Sequence, residues 1–367
     1  MSELDGSELD VSMKKADVSK FDPVGAGNPD SNIFGLDFTA RESNIVLVPV
    51  PWEVTVSYLR GTAKGPEAIR RASPQLDLFD AEYAEIGLSR PWEFGIHMLK
   101  PQANVRALNA AACKAALPVV AAGGANNKRL SALLAKVNEA GVKLNSLMFK
   151  TAQELLAQEK IVGFVGGDHS VPYGNIAACA EKFPGLGILH FDAHADLREA
   201  YEGFEYSHAS IMNNVIHKIT GVSRLVQVGI RDFCDTEYEL ATTHPRIKTW
   251  FDYAMRRELF QGTSYSILTK CIIDTLPENV YVSFDIDALD PALCPHTGTP
   301  VAGGLSFVEA TFILRELAAS GRRIVGFDLN EVAPNPHSRS DEWDGNVGAR
   351  VLYKLCAAAL YSNGART

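Results

Sequence analysis

Three side chains able to hold a metal ion stand at alternate positions near the middle of the chain. They are Asp192, His194 and Asp196, within Ile188-Leu-His-Phe-Asp-Ala-His-Ala-Asp-Leu-Arg198. Residues two apart on an extended strand point to the same side, so the three converge on one volume. Carboxylate and imidazole donors suit a hard or borderline divalent ion such as Mn, Ni, Co or Zn better than a thiolate-seeking one. Taken alone, the stretch reads equally well as a solvated strand tip.

Three further stretches change that balance. Gly166-Gly-Asp-His-Ser170 brings His169 over the end of an apolar run, with paired glycines for a tight turn. Ser283-Phe-Asp-Ile-Asp-Ala-Leu-Asp-Pro291 repeats the alternation at Asp285 and Asp287, while Asp290, before a proline, is read as fixing the turn. Gly326-Phe-Asp-Leu-Asn-Glu-Val-Ala-Pro334 delivers Glu331. Asp285 and Asp287 are costly to bury side by side without a cation. His169, Asp192, His194, Asp196, Asp285 and Asp287 offer two imidazoles and four carboxylates. That set is too anionic for one tetrahedral zinc and suits two ions roughly 3.5–4 Å apart.

These stretches need a scaffold that brings several chain segments to one edge. Short β-rich apolar runs occur at 45–50, 161–165, 187–191, 224–228, 246–250, 280–285 and 323–328. Helical windows separate most of them, including one opened by Pro66, a mostly helical Ala-rich region over 102–159 broken at 123–127, and one from Glu309. The alternation predicts an α/β fold: a mostly parallel sheet covered by helices on both faces. No repeat of solenoid period is present.

Residues 1–43 are polar, with Pro23, Gly25, Gly27 and Pro29 close together, and read as an extended arm; residues 44–367 read as one catalytic domain. Apolar residues make up 46% of the chain, so a substantial core is expected rather than disorder. The 35 Lys plus Arg against 44 Asp plus Glu leave a net charge of −9. This argues against nucleic acid or an anionic membrane as the main partner and favours a small cationic substrate. The six cysteines are scattered with no Cys-x-x-Cys pair, and no secretory leader or membrane span is evident. A reduced, cytoplasmic protein is the expectation.

With these motifs in this order, the chain resembles the ureohydrolase family of arginases, agmatinases and related guanidino hydrolases over about 44–360. The closer likeness is to the agmatinase-like branch, whose Tyr-Ser-His motif appears as Tyr206-Ser-His208. The resemblance implies a three-layer α/β/α fold with a central sheet of about eight strands, and two divalent ions; the carboxylate and imidazole donors admit Mn and Ni alike. His169 and Asp196 would hold one ion, His194 and Asp287 the other, and Asp192 and Asp285 would bridge them. It implies attack of an ion-bridging hydroxide on the guanidinium carbon, release of urea, Glu331 as guanidinium partner and His208 as proton shuttle. A homo-oligomer, trimer or hexamer, is implied as well.

The substrate expectation is agmatine or a small guanidine or alkylguanidine. The Glu199–Ser207 region lacks the polar loop with which arginases grip an α-amino acid, and Glu202 or Glu205 would suit an amine tail. Trp52, His296 and Trp343 would shorten the pocket if they face it. If they pack elsewhere, agmatine is the better fit. His190 is read as a core residue on the face opposite Asp192, Asp168 and Ser170 as loop supports, and His217, His244 and His337 as lacking any motif. Two alternatives remain open here: a non-catalytic or regulatory ureohydrolase-like subunit, and a single-zinc deacetylase-like hydrolase.

Overall fold

In the computed structural model, residues 13–19, 21–25 and 27–367 are described. Eight strands form one sheet: β1 (Ile45–Val50), β2 (Ile96–Met98), β3 (Ile161–Gly166), β4 (Leu186–Phe191), β5 (Val222–Ile230), β6 (Ile247–Phe251), β7 (Asn279–Asp285) and β8 (Arg323–Asn330). Their order is β2-β1-β3-β8-β7-β4-β5-β6, and every neighbouring pair is parallel. A parallel sheet buried on both faces explains why the strands are apolar runs rather than alternating ones. Successive residues nonetheless part company: Ile188 and Phe164 enter one core, Leu189 and Val165 the other. Helices cover both faces, giving three layers.

Seven of the strands coincide with the apolar runs. The eighth, β2, has three residues around a half-buried His97 and is held by pairing with β1, a partnership no local pattern announces. The predicted helices are found at Gly65–Ala72, Ala103–Ala121, Lys128–Leu156 and Phe307–Ala319. The N-terminal arm expected over 1–43 falls partly on residues 1–12, 20 and 26, which lie outside the described residues. Its remainder is packed onto the domain. Ile33, Phe34 and Leu36 are buried in the core, and the Ala16 amide donates to the Glu93 carbonyl at 2.7 Å. The apolar cluster at 33–36 binds this segment down despite its polar flanks. Among the described residues no helix is long and apolar enough to cross a membrane.

The order of strands decides where chemistry can sit. β3, β8, β7 and β4 are consecutive at the centre of the sheet. Because all run the same way, their C-terminal ends open on one edge, where α/β proteins bind ligands. His169, Glu331, Asp285 with Asp287, and Asp192 to Asp196 follow these four strands in turn.

Candidate metal centre and active site

Asp192 follows β4 and occupies the middle of the cluster. Its Oδ2 lies 2.9 Å from His169 Nδ1, and its Oδ1 lies 3.4 Å from His194 Nδ1. Two donor groups therefore share this carboxylate. One comprises His169, His190, Asp192 and Asp196; the other comprises Asp192, His194 and Asp287. In the first, His169 Nδ1 is also 3.3 Å from Asp196 Oδ2 and 3.2 Å from Asp285 Oδ2. In the second, His194 Nδ1 is 3.1 Å from Asp287 Oδ2. All six expected donors thus meet at the strand ends.

The local backbone explains how. Gly166 and Gly167 are required for close approach rather than for a left-handed turn. A Cβ on Gly166 would lie 1.8 Å from Asn330 Oδ1, and one on Gly167 would lie 1.7 Å from the Trp52 carbonyl oxygen. Asp196 and Glu331, by contrast, hold left-handed conformations with φ of 53° and 63°. Non-glycine residues rarely adopt these, and strain of this kind gathers at functional sites.

The electrostatics of the cluster call for cations. Burial holds the Asp285 carboxyl well above its ordinary range, aided by the charges of Asp287 and Asp192. Burial and the Asp192 charge push Asp196 up to about 7. Burial also opposes ionisation of Asp192, yet His190, His169 and His194 together hold it well below the usual range. Burial lowers the His169 pKa, but Asp192, Asp196 and Asp285 outweigh it and hold it well above the ordinary value. Buried carboxylates this close together favour positive charge beside them. Two divalent ions would supply it, and the donor set fits them.

Hydrogen bonds from the sheet orient the donors. His169 Nε2 lies 3.0 Å from Ser283 Oγ, whose hydroxyl donates to Asp328 Oδ1 at 3.0 Å. His190 is not on the far face. Its Nε2 is 2.8 Å from Asp192 Oδ2, as expected for residues two apart on a strand, so the opposite-face assignment is corrected. Gln227 Nε2 donates to His190 Nδ1 at 3.0 Å, and Thr249 Oγ1 donates to Gln227 Oε1 at 2.8 Å. The amide makes Nδ1 the acceptor and leaves Nε2–H to donate to Asp192. Burial correspondingly lowers the His190 pKa.

Glu331 is buried, and its Oε1 accepts from the His169 amide at 2.9 Å. Its Oε2 has no hydrogen-bond partner. Burial and the Asp168 charge hold its carboxyl well above the ordinary range. A buried carboxylate oxygen left unpaired awaits a donor.

His208 opens a short 3₁₀ turn, His208–Ser210, and its amide donates to Thr55 Oγ1 at 3.1 Å. With His194, Asp196, Tyr201, Phe233 and Thr299 it lines a chamber of about 120 Å³. Burial and the neighbouring His194 and His169 push its pKa down to about 4. Thr55 is a contact the sequence reading missed. It sits in the loop after β1 beside Asp168, whose Oδ1 accepts from the Ser170 amide at 3.1 Å.

The three residues expected to shorten the pocket do not line this chamber. Trp52 is fully buried among core side chains including Val50 and Val54. His296 donates from Nδ1 to Asp344 Oδ2 at 2.8 Å. Trp343 is 48% exposed, and its Nε1 donates to the Ala292 carbonyl at 3.1 Å. Each aromatic has a structural partner elsewhere. Tyr201 and Phe233 supply the chamber's aromatic wall instead, and nothing in their local sequence marks them out.

Fold and donor set together define a class: three-layer α/β enzymes with a carboxylate- and imidazole-rich metal centre at the C-terminal edge of a parallel sheet. Residues 43–358 match the model of the arginase family, and the chain belongs to that family. It is 33% identical over 304 residues to the N(1)-aminopropylagmatine ureohydrolase of Thermus thermophilus, covering 83% of this chain and 87% of that one. It is 32% identical over 346 residues to an agmatinase of Neisseria meningitidis, covering 92% and 94%. Among solved structures, the agmatine ureohydrolase of Thermoplasma volcanium superposes with a TM-score of 0.66 at 20% identity, covering 88% of this chain and 92% of that one.

Proposed function

We propose that the chamber beside Asp192 is the active site of an agmatinase-like hydrolase. The enzyme hydrolyses a guanidino compound, cleaving a C–N bond of the linear amidine and releasing urea. The observation that carries this reading is Asp192, which turns one oxygen toward each of two histidine-bearing donor groups. Membership of the arginase family supports the same reaction. A non-catalytic subunit or a single-zinc hydrolase is not favoured, since neither requires six converging donors.

Asp192 and Asp285 would be shared between two divalent ions, with His169 and Asp196 on one and His194 and Asp287 on the other. Mn and Ni both suit these donors. Bound ions would supply Lewis acidity and a water acidic enough to ionise near neutral pH. The chain's own residues do the rest. Glu331 presents its unpaired oxygen to the substrate guanidinium, a charge-assisted pairing that fixes the plane of attack. His208, neutral at physiological pH, takes up a proton and passes it to the departing amine.

The substrate is agmatine or a close relative with an aliphatic cationic tail. Trp52, His296 and Trp343 each have partners of their own in core side chains, Asp344 and the Ala292 carbonyl, which leaves the choice to the surroundings of the chamber. Arg198 and Tyr201 line both the chamber and an adjoining groove of about 1130 Å³, which also carries Glu199, Glu202 and Glu239. A tail leaving the chamber enters a groove of mixed charge, in which Glu199, Glu202 and Glu239 stand beside Arg198, His217 and Lys218. Curated relatives named for agmatine and aminopropylagmatine chemistry agree with this choice. The reading extends to a cytoplasmic setting, consistent with six free cysteines, and to a homo-oligomer, trimeric or hexameric. The test is steady-state urea release from agmatine, guanidine, alkylguanidines, arginine and guanidinobutyrate. Agmatine should turn over fastest. Preference for guanidine or an alkylguanidine would overturn the substrate assignment, and acetate release in place of urea would overturn the reaction.

A further inference from the structure

We infer that Arg231 is the positioning residue that assembles the second donor group, the one containing His194 and Asp287. The inference rests on the two-ion reading above. Arg231 follows β5, a strand that contributes no metal donor. Its amide donates to the Ala193 carbonyl at 2.7 Å, and the Asp232 amide donates to the same oxygen at 3.0 Å. Those two bonds seize the residue lying between Asp192 and His194. Ala193 in turn donates its amide to Asp287 Oδ1 at 3.0 Å.

The side chain closes the circuit. Arg231 Nη2 donates to the Asp287 carbonyl at 2.8 Å, to the Leu289 carbonyl at 3.2 Å and to the Val301 carbonyl at 2.9 Å. Nη1 reaches the Gly229 and Ala288 carbonyls at 3.2 and 3.4 Å, and Nε reaches Val301 again at 3.3 Å. These bonds all go to main-chain oxygens and none to a carboxylate. A guanidinium used this way is no ion-pair partner; it is a fork that ties the end of β5 to two separate turns of the connection after β7. Gly304 leaves room for it, since a Cβ there would sit 2.8 Å from Nη2.

Arg231 therefore braces both ends of the His194–Asp287 pair, by its amide at Ala193 and by its guanidinium at the Asp287 carbonyl. Of the first donor group, only the shared Asp192 adjoins a residue that Arg231 holds. His169 and His190 are oriented by Ser283 and Gln227 on the strands themselves. Damage at Arg231 should loosen one ion and spare the other, which a general structural role would not do. A lysine keeps the charge but offers a compact head that cannot span the Asp287, Leu289 and Val301 oxygens together.

Equilibrium dialysis of the full chain against Mn²⁺ alone, with ions counted per chain, reads this directly. Wild type should take up two ions. Arg231→Lys should keep one ion at wild-type affinity and bind the second about 10–100-fold more weakly, the usual effect of losing a residue that orients donors. Its metal-free fold should persist by circular dichroism, with a lowered thermal midpoint because main-chain carbonyls lose their donors. Arg231→Met, which removes every side-chain bond, should hold one ion at most. A lysine variant that binds both ions as tightly as wild type, or that weakens both equally, would overturn the role of Arg231. A wild-type chain saturating at one ion would instead sink the two-ion reading itself.

Discussion

The two donor groups that share Asp192 are built differently. His169, His190, Asp192 and Asp196 are nearly sealed from solvent, whereas the His194 side chain is 24% exposed and opens on the chamber. Strand residues hold the sealed group: Ser283 behind His169, and Gln227 with Thr249 behind His190. Loop main chain holds the open group, through Ala193, Asp287 and Arg231. Donors backed by strand side chains are held more rigidly than donors backed by loop main chain, even where, like Asp196, they reach the chamber. In the two-ion proposal the first group suits an anchoring ion and the second a reacting one.

Removing the shared member should erase the distinction altogether. Asp192→Ala is expected to abolish binding of both ions and nearly all urea release, read by metal analysis and a urea assay on one preparation. Retention of two ions with normal turnover would put the centre elsewhere. A change on the reacting side alone should behave otherwise. His208→Ala should lower kcat for agmatine by about 10²-fold or more, as for loss of a positioned proton-transfer group, while the ion count and KM stay near wild type.

Smaller effects sharpen the contrast. Gln227→Leu removes the donor that fixes the His190 tautomer, and should weaken the sealed ion about 10-fold while leaving the open one unchanged. Competition titration with a chelator separates the two. The smallest effect concerns His208 itself, whose pKa is depressed from 6.5 to about 4 in the fold. The unfolded chain then binds more protons between those values, so this group's contribution to stability is present above 6.5 and is lost as pH falls toward 4. Metal-free His208→Ala should accordingly lose less stability than wild type over that window, measured by denaturant midpoint.

Much of this arrangement was legible in the residues. Asp192, His194 and Asp196 alternate because a strand presents them to one side, and Asp285 with Asp287 carries the same mark. The apolar runs that end in these motifs located seven strands, since doubly buried parallel strands are continuous in hydrophobicity. β2 escaped because three residues around a histidine carry no such signal. His190 was within reach, as alternation properly applied puts it beside Asp192. Arg231 and Gln227 were not, because a buried polar residue is defined by partners that only tertiary structure supplies. Trp52, Trp343 and His296 could not be placed from the sequence, because core packing, exposure and the pairing with Asp344 are set by tertiary structure.

The central claim is that Asp192 sits between two metal ions, and anomalous diffraction from crystals loaded with Mn²⁺ tests it most directly. Two peaks are predicted, one against His169 and Asp196 and one against His194 and Asp287, with Asp192 contacting both. A single peak, or two peaks that leave Asp192 out, would contradict the account.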